Sequence, residues 1–331
     1  MKTTSSAFGR YLIIGGAGFI GGHFSDHLLA QPDVESVTVY DNFSSGREWH
    51  VATHYDDPRF SVKRNDVREL DALIDAMIDC DTVIHLASNP DIAAAATNPM
   101  IDFDQGTLLT QNVVEAMRHT GTQQILYASG SGVYGELGET EPTEDYGPMN
   151  PVSTYGASKL AGEALISSYC AMFGLTGRAF RFGNVVGPRQ THGVGFDFLR
   201  QLLVDDANLT ILGDGSQSKS YIHVSDVITA VLMAAQLSDI SFSTYNVATG
   251  DYITVSEIAQ LAIAATGRTA ERIRIHYTGG DRGWRGDVPI VRLNTDRIRD
   301  LGWSNVLNTR EALASAMDAL LVDFKNGNIP L

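Results

Sequence analysis

The most constraining feature of this sequence is a short apolar run that ends in three regularly spaced glycines. The run 11–14 leads into Gly15, Gly18 and Gly21, and a helical pattern follows to Ala30. The first glycine permits a tight turn, the second lets a pyrophosphate approach the backbone, and the third lets the helix pack on the strand. The start of that helix also offers free N–H groups to phosphate oxygens. The sequence therefore predicts a dinucleotide-binding β–α turn.

An acidic residue follows the second predicted strand, 36–40. Asp41 stands where a carboxylate can accept both hydroxyls of the adenosine ribose and repel a 2′-phosphate. This favours NAD over NADP, although Arg47 nearby is able to hold a phosphate. Asp66 and Val67 follow the third predicted strand, and we expect them to contact the adenine.

Strands and helices alternate through the first part of the chain. Further strands are predicted at 60–63, 82–87, 124–129 and 176–182, with helices at 69–79, 98–119 and 153–173 between them. Such alternation indicates βαβ units with right-handed crossovers, and hence a Rossmann-type doubly wound parallel sheet in an α/β fold. The pattern weakens after Gly187 and predicts a smaller C-terminal α/β lobe. We expect a nucleotide-binding domain at 1–186, to which part of 223–245 returns, and a substrate lobe at 187–331.

The acidic composition and the cysteine spacing narrow the class of protein. Asp and Glu total 39 against 24 Lys and Arg, a formal net charge of −15. Nucleic-acid-binding domains carry a basic face and membrane-surface proteins a basic amphipathic helix, so neither class is expected. Cys80 and Cys170 are too far apart for a disulfide framework or a zinc spacing. His23 and His27 lack a third ligand nearby, so no metal site is predicted.

Targeting segments are not evident in the sequence. Residues 1–10 hold no apolar run typical of a signal peptide. No segment approaches the length of about 18 apolar residues that a membrane-spanning helix needs. We therefore expect a soluble protein of the reducing cytoplasm, where the two cysteines act as small buried hydrophobic residues.

A tyrosine and a lysine stand four residues apart near the start of the predicted helix 153–173. Residues i and i+4 share one face of a helix, so Tyr155 and Lys159 lie side by side. An ammonium beside a phenol favours the phenolate and lowers the Tyr pKa from about 10. A phenol tuned in this way acts as a general acid and base near neutral pH. The pair therefore predicts a proton-transfer site beside the nucleotide.

With these motifs in order, the sequence resembles the extended short-chain dehydrogenase/reductases, and within them the nucleotide-sugar epimerases and dehydratases. The resemblance covers nearly the whole chain and is greatest to the UDP-glucose 4-epimerase branch. The motifs that carry it are Gly-Gly-Ala-Gly-Phe-Ile-Gly (15–21), Asp-Asn-Phe-Ser-Ser-Gly (41–46), His-Leu-Ala (85–87), Val-Tyr-Gly (133–135), Tyr-Gly-Ala-Ser-Lys (155–159), Arg-Phe-Gly-Asn-Val-Val-Gly-Pro (181–188), Gly-Asp-Gly-Ser-Gln (213–217), Tyr-Ile-His-Val-Ser-Asp-Val (221–227) and Gly-Asp-Val (286–288).

The resemblance implies an NAD-dependent epimerase that acts on a nucleotide-diphosphate sugar at C4. Tyr155 would take the proton from the sugar hydroxyl, and Lys159 would hold the nicotinamide ribose and tune Tyr155. Hydride would pass to tightly bound NAD and leave a transient 4-keto sugar, which takes the hydride back on its other face. The family also commonly forms homodimers through the helices near 98–119 and 153–173.

The resemblance assigns site residues by position. Catalytic roles fall on Tyr155, Lys159 and Ser131. Cofactor contacts fall on Gly15, Gly18, Phe19, Ile20, Gly21, Asp41, Asn42, Ser45, Gly46, Asp66, Val67, Leu86, Ala87, Ser129, Tyr155 and Lys159. Substrate contacts fall on Ser131, Tyr134, Asn184, Lys219, His223, Arg282 and Arg285. Arg282 or Arg285 would hold the diphosphate with its bidentate guanidinium. The segment that contains them is offset from the family's Arg-x-Gly-Asp motif, so the choice between the two arginines stays open.

Departures from the family pattern bear on the type of reaction. Gly130 stands where the family has Ser or Thr, and Ser131 is the expected replacement, with Ser129 as the other candidate. The pair Ser131-Gly132 occupies the position of the Asp-Glu pair of the 4,6-dehydratases. Elimination of water needs an acid and a base beyond the tyrosine, so a dehydratase is disfavoured.

Two further departures predict a divergent epimerase. The pair 103–104 is Phe-Asp where the family has Asn-Val, and 219–220 is Lys-Ser where it has Arg-Asp. The alternatives are a nucleotide-sugar dehydrogenase or keto-reductase, or a dehydratase, built on the same fold. A non-catalytic NAD-binding protein is a third possibility, supported only by Gly130. The base, the sugar and the carbon inverted stay open.

Overall fold

The computed structural model describes residues 9–237 and 240–329. The predicted domains and the N-terminal segment also include residues 1–8, 238–239 and 330–331, which lie outside the described residues. The strands are β1 Arg10–Ile14, β2 Ser36–Tyr40, β3 Phe60–Lys63, β4 Thr82–His85, β5 Gln124–Gly130, β6 Thr176–Phe182, β7 Asn184–Val186, β8 Asn208–Ile211, β9 Ser218–Lys219, β10 Tyr221–His223, β11 Phe242–Val247, β12 Ile253–Thr254 and β13 Arg274–Tyr277. The helices are α1 Phe19–Leu29, α2 Leu70–Met77, α3 Leu108–Thr120, α4 Thr154–Phe173, α5 Val194–Val204, α6 Val224–Leu237, α7 Val255–Ala265, α8 Asp296–Arg299 and α9 Thr309–Lys325. Among the described helices, none has the length and apolarity needed to span a membrane.

A seven-stranded sheet is the centre of the fold. Its strand order is β11-β6-β5-β4-β1-β2-β3. The ladders of β1 with β2 and β4, of β2 with β3 and of β4 with β5 are parallel. Because β1 lies between β2 and β4, the direction of chain winding reverses there, and ligands of such sheets bind at the carboxyl ends of the strands beside this switch point. The prediction of a Rossmann-type doubly wound sheet is confirmed.

Two compact units divide the described chain. The first contains residues up to Gly130 together with Thr154–Arg181 and the described part of Val231–Tyr245. The second contains Ser131–Ser153, Phe182–Ala230 and the described residues from Asn246 onward.

The core of the first unit explains why the central strand β4 shows no alternation of buried and exposed residues. All four residues of β4 are buried. Parallel strands are covered by helices on both faces, so they lack the alternation of apolar and polar residues seen in half-exposed sheets. One buried cluster joins the strands to α2 and α3 through Leu12, Val83 and Ile125 with Leu73, Met77, Val113 and Met117.

The predicted helix 98–119 begins later than expected, at 101, and is interrupted in its first half. The uninterrupted α-helix begins at Leu108, after a π-helical turn at Phe103–Thr107 in which Gln105 has non-helical backbone angles. A Cβ on Gly106 would lie 2.0 Å from the Ser158 hydroxyl of α4. The close approach of these two segments is a tertiary contact, so helical periodicity alone does not reveal the interruption.

The second unit contains α9, which the sequence analysis missed. Asn308 and Glu311 form a capping box at its start, with each side chain bonded to the other residue's backbone N–H. The buried face of the helix carries Leu313, Met317 and Leu320 at helical spacing. The pattern Asn-x-x-Glu followed by this apolar stripe was the signal available in the sequence.

Removal of the α9 cap is expected to lower stability measurably. In Asn308→Ala the Glu311 N–H loses its acceptor, which lies 2.9 Å away, and loss of an N-cap costs about 1 kcal/mol. Urea unfolding should therefore show a lower midpoint with an unchanged slope. Asn326→Ala at the other end of α9 is the control, with an expected change within about 0.5 kcal/mol. Equal losses in the two variants would contradict the capping role.

Candidate active site

Two of the three spaced glycines in the turn after β1 are packed too tightly to admit a side chain. Gly15 has a φ of +79°, and a Cβ there would lie 2.7 Å from the backbone nitrogen of Ala87. A Cβ on Gly21 would lie 2.5 Å from the Gly16 Cα, so α1 packs directly on the turn. Gly18 caps α1 without a side chain. The N–H groups of the first helical turn are therefore available to an anion.

Asp41 stabilises the glycine turn in addition to its predicted role. It is 8% exposed. Its Oδ2 accepts from the Ala17 N–H at 2.9 Å and its Oδ1 from the Phe43 N–H at 2.7 Å. Burial raises the pKa of this carboxyl group, and the two hydrogen bonds act in the opposite direction. Each carboxylate oxygen can accept a further hydrogen bond, so ribose hydroxyls remain possible partners.

His50 contacts the same turn and was missed by the sequence analysis. Its Nδ1 lies 2.8 Å from the Ala17 carbonyl oxygen, which also accepts from the Arg47 N–H at 2.9 Å. A Cβ on Gly46 would lie 2.8 Å from the Ala17 Cβ. The segment after β2 is thus packed against the glycine turn, which accounts for a glycine at position 46.

The residues predicted to contact the adenine are held by local hydrogen bonds. Asp66 accepts from Arg68 Nε at 2.9 Å and Nη2 at 2.7 Å, and from Asn42 Nδ2 at 2.9 Å. The Arg68 guanidinium holds the pKa of this carboxyl group well below its usual range. Val67 is buried beside it. At the next strand, the Leu86 and Ala87 N–H groups both donate to the Ile14 carbonyl oxygen.

The remaining predicted cofactor residues lie on α1, in the segment after β2 and in β5. Phe19 and Ile20 are the first two residues of α1. Ser45 is exposed in the segment that precedes Gly46. Ser129 is buried in β5, where its hydroxyl donates to Glu163 Oε1 at 2.5 Å.

Lys159 is buried beside the Tyr155 ring. The Lys159 Nζ lies 5.5 Å from the centroid of that ring and 5.2 Å from the Tyr127 centroid, and donates to the Ala128 carbonyl oxygen at 2.7 Å. The side chain is on the buried face of α4, and burial lowers the pKa of the ammonium to about 8. At neutral pH this group is therefore largely protonated.

The pKa of Tyr155 departs from the direction predicted from sequence. Burial raises it, the Ser88 hydroxyl lowers it by a hydrogen bond, and the Asp102 carboxylate raises it further. The spacing predicted a lowered value because it places an ammonium on the same helix face. Removal of the phenol from water disfavours the phenolate more strongly than this neighbour favours it.

Ser88 and Asp102 are site residues that the sequence analysis missed. Asp102 is 1% exposed and accepts from Asn89 Nδ2 at 2.8 Å and from Thr154 Oγ1 at 2.6 Å. Since Thr154 begins α4, the carboxylate fixes the end of the helix that carries Tyr155. The only sequence signal for Ser88 is its position directly after the His-Leu-Ala motif.

In the second unit, Ser131 and Tyr134 line a small pocket together with Arg292. The remaining lining residues are Gly135, Leu137, Gly138, Thr140, Pro142, Ile290 and Val291. The Tyr134 hydroxyl donates to Asn246 Oδ1 at 2.8 Å and lies 3.2 Å from the Thr143 carbonyl oxygen, and the side chain is buried. Arg292 was missed by the sequence analysis. Its guanidinium stacks at 4.0 Å on the Tyr252 ring.

Three other predicted substrate residues lie around β7, β9 and β10. These include Asn184, whose Nδ2 donates to the Ser220 carbonyl oxygen at 3.2 Å. His223 Nδ1 lies 2.7 Å from Ser225 Oγ, its Nε2 is buried without a hydrogen-bond partner among the described residues, and burial lowers its pKa. Lys219 is paired with Asp287 at 2.6 Å.

The two arginines proposed for the diphosphate differ in their surroundings. Arg282 is paired with Asp281 at 2.9 Å and with Glu136 at 3.4 Å. These carboxylates raise the pKa of its guanidinium. Arg285, three residues on, is exposed. Both lie in the loop whose Gly283 N–H donates to Asp287 at 3.1 Å.

Comparison with known proteins extends these observations. A solved UDP-galactose 4-epimerase is 34% identical, with a TM-score of 0.83 over 95% of this chain and 99% of its own. A UDP-glucose 4-epimerase of Thermus thermophilus in complex with NAD is 30% identical, with a TM-score of 0.81 over 94% and 99%. A dTDP-glucose 4,6-dehydratase of Streptomyces venezuelae with NAD bound is 25% identical, with a TM-score of 0.87 over 96% and 98%. The profile of the NAD dependent epimerase/dehydratase family matches residues 11–248. The chain therefore belongs to the NAD dependent epimerase/dehydratase family, as the sequence motifs predicted.

Proposed function

We propose that this protein is an NAD-dependent nucleotide-sugar epimerase that inverts C4 of a UDP-hexose. The observation that carries the proposal is the Tyr155–Lys159 pair on one face of α4, in the unit that also holds the glycine turn. Solved relatives whose own names are UDP-galactose and UDP-glucose 4-epimerase supply the substrate class.

The first unit fits NAD. Gly15 and Gly21 leave no room for a Cβ, and Gly18 leaves the start of α1 without a capping side chain, which suits a pyrophosphate. Asp41 would bind the adenosine ribose, and Asp66 and Val67 would meet the adenine. When bound, NAD supplies a hydride acceptor and donor that the twenty amino acids lack.

Tyr155 would move the proton and Lys159 would orient the reactants. The Tyr155 oxygen takes the proton from the sugar hydroxyl and later returns it. Burial raises the pKa of Tyr155, so the phenolate that accepts this proton needs positive charge and hydrogen-bond donors beside it. Lys159 would supply part of that charge, and the Ser88 hydroxyl would donate to the phenolate.

The second unit would bind the nucleotide-diphosphate sugar. Ser131 would hydrogen-bond the sugar, and Arg282 or Arg285 would bind the diphosphate. Arg282 would then exchange Glu136 for phosphate oxygens, which a bidentate guanidinium binds equally well. Tyr134, Asn184, Lys219 and His223 keep their sequence-based assignment to this site as part of the proposal. We also propose a homodimer in the cytoplasm, as the sequence predicted.

A dehydratase is the principal alternative, because one of the similar structures has that activity. Its elimination step needs an acid and a base beyond the tyrosine. Ser131-Gly132 supplies no carboxylate at the position where the resemblance places them. Glu136 and Glu139, which follow, are paired with Arg282 and Arg292.

A panel of UDP-, GDP-, CDP- and dTDP-sugars tests the proposal. Each is incubated with the protein and one equivalent of NAD per chain, and the products are read by proton NMR. We expect UDP-glucose or UDP-galactose to give its C4 isomer with unchanged mass. A product lighter by one water would identify a dehydratase. A steady change in absorbance at 340 nm with excess cofactor would identify a dehydrogenase or reductase. Either result would overturn the epimerase assignment.

A further inference from the structure

A buried ion pair lies one helical turn beyond Lys159. Glu163 and Arg181 are 4% and 2% exposed. Arg181 Nε donates to Glu163 Oε1 at 3.0 Å and its Nη2 to Oε2 at 2.6 Å. Removal of two charges from water is costly, and apolar residues of the same volume often stabilise a core equally well. A contribution to folding stability alone therefore does not explain why the chain has a buried ion pair at this place.

The same carboxylate connects α4 to the end of β5. Glu163 Oε1 also accepts from the Ser129 hydroxyl at 2.5 Å. One residue earlier in the strand, the Ala128 carbonyl oxygen accepts from Lys159 Nζ at 2.7 Å. Two consecutive residues of β5 are thus bonded to side chains four residues apart on α4. Two such bonds fix both the rotation of the helix and its position along the strand.

We propose that Glu163 is a positioning residue for the reaction: held by Arg181, it fixes the end of β5 against α4 and so keeps Lys159 and Tyr155 in place. Tyr155, Lys159 and Glu163 occupy positions i, i+4 and i+8 and share one helix face. The inference rests on the proposed function, since it assigns Glu163 a part in the same chemistry.

The charge of Glu163 also acts on Lys159. Glu163 and Asp102 both favour the charged ammonium, whereas burial opposes it and is the largest influence. Burial lowers the pKa of His85 to about 3, and the Lys159 charge acts in the same direction. The titratable groups that face Lys159 are Tyr155 and Glu163 on α4, Tyr127 on β5, His85 on β4, and Asp102. Loss of the Glu163 charge should therefore make Lys159 easier to deprotonate.

A lysine titration tests this effect without any activity measurement. The chain has five lysines, so protein labelled with 13C at lysine Cε gives a short spectrum, and Lys159→Met assigns the signal. In Glu163→Gln we expect the Lys159 midpoint to fall by about one pH unit, because a negative charge that favours the ammonium is lost. Glu163→Asp keeps the charge and should leave the midpoint within about 0.3 unit.

Asp57→Asn is the matched control for the titration. It removes a carboxylate that accepts two hydrogen bonds from the Arg59 guanidinium. This pair lies in the same unit and has no contact with Tyr155, Lys159 or Glu163 among the hydrogen bonds of the described residues. The Lys159 midpoint should not move. If Glu163→Gln does not fold, the effect is read by comparing Glu163→Gln/Arg181→Met with Arg181→Met alone, where loss of the Glu163 charge should still lower the midpoint. An unchanged midpoint in a folded variant would overturn the effect of Glu163 on Lys159.

Kinetics test the positioning itself. Glu163→Asp shortens the side chain by one methylene, so it cannot reach Arg181 and Ser129 together. We expect its kcat to fall about tenfold, with the KM for the sugar within about twofold. An unchanged kcat would overturn the positioning role. If the wild-type protein proves not to be an epimerase, the proposed function fails, and the titration still decides whether Glu163 acts on Lys159.

Discussion

Tyr155→Phe is expected to lose epimerase activity almost completely, with kcat lower by about 10³-fold or more. The substitution removes the only oxygen of that side chain, so no group at this position can take the proton from the sugar hydroxyl. Phenylalanine fills the same volume, and the Lys159 bond to Ala128 does not involve the phenol. The fold and the NAD content should therefore be unchanged, as measured by circular dichroism and by the absorbance of released cofactor.

Tyr169→Phe is the matched control for this variant. It makes the same chemical change on the same helix, where the hydroxyl contacts Gln111 and Glu115. Because Tyr169 lies more than three helical turns beyond Tyr155, we expect its kcat within about twofold of the wild-type value. Retention of a tenth or more of the activity in Tyr155→Phe would show that another group moves the proton.

Gly21→Ala is expected to have the second largest effect, on NAD binding and stability together. The added Cβ would lie 2.5 Å from the Gly16 Cα and 2.8 Å from the Gly15 carbonyl oxygen, which are backbone atoms and cannot rotate away. The helix must move off the turn, at a cost of about 1–3 kcal/mol in unfolding free energy. The displaced helix start should weaken NAD binding by about tenfold or more. Calorimetric titration with NAD and thermal unfolding measure the two losses.

Gly18→Ala separates these two effects. A Cβ there meets only the Gly15 carbonyl oxygen, at 3.2 Å, so the fold can accept it with little change. The methyl group would occupy the space that a pyrophosphate needs. We expect a melting temperature close to that of the wild-type protein and a clear loss of NAD affinity. Wild-type affinity in Gly18→Ala would contradict the placement of the pyrophosphate at this turn.

The fold could be predicted from the sequence because its signals are local. The glycine turn, the apolar strands and the intervening helices each occupy a short segment, and parallel sheets place such segments in a small number of arrangements. The π-helical turn at Phe103–Thr107 was not predictable in this way, since it depends on the contact between Gly106 and Ser158. Several strands of the second unit, such as β7, β9, β10 and β12, have only two or three residues, which is too short for a recognisable pattern of apolar and polar residues.

The candidate site was predictable where a motif carries it and not where distant segments meet. Tyr155 and Lys159 follow from their spacing and from family resemblance. Asp102 could not be recognised, because its partners Asn89 and Thr154 lie far from it in the sequence. The direction of the Tyr155 pKa was wrong for the same reason, since burial depends on the folded chain and not on spacing.

The central claim is that the C4 hydrogen leaves the sugar as hydride and returns to it. Conversion of UDP-glucose in D2O, with one equivalent of NAD per chain and a large excess of substrate, tests this most directly. The account predicts many product molecules per NAD, all of them UDP-galactose with ordinary hydrogen at C4 by NMR and mass spectrometry. Deuterium at C4 would show inversion by exchange with solvent, and a yield limited to one product per NAD would show net oxidation. Either result would contradict the account.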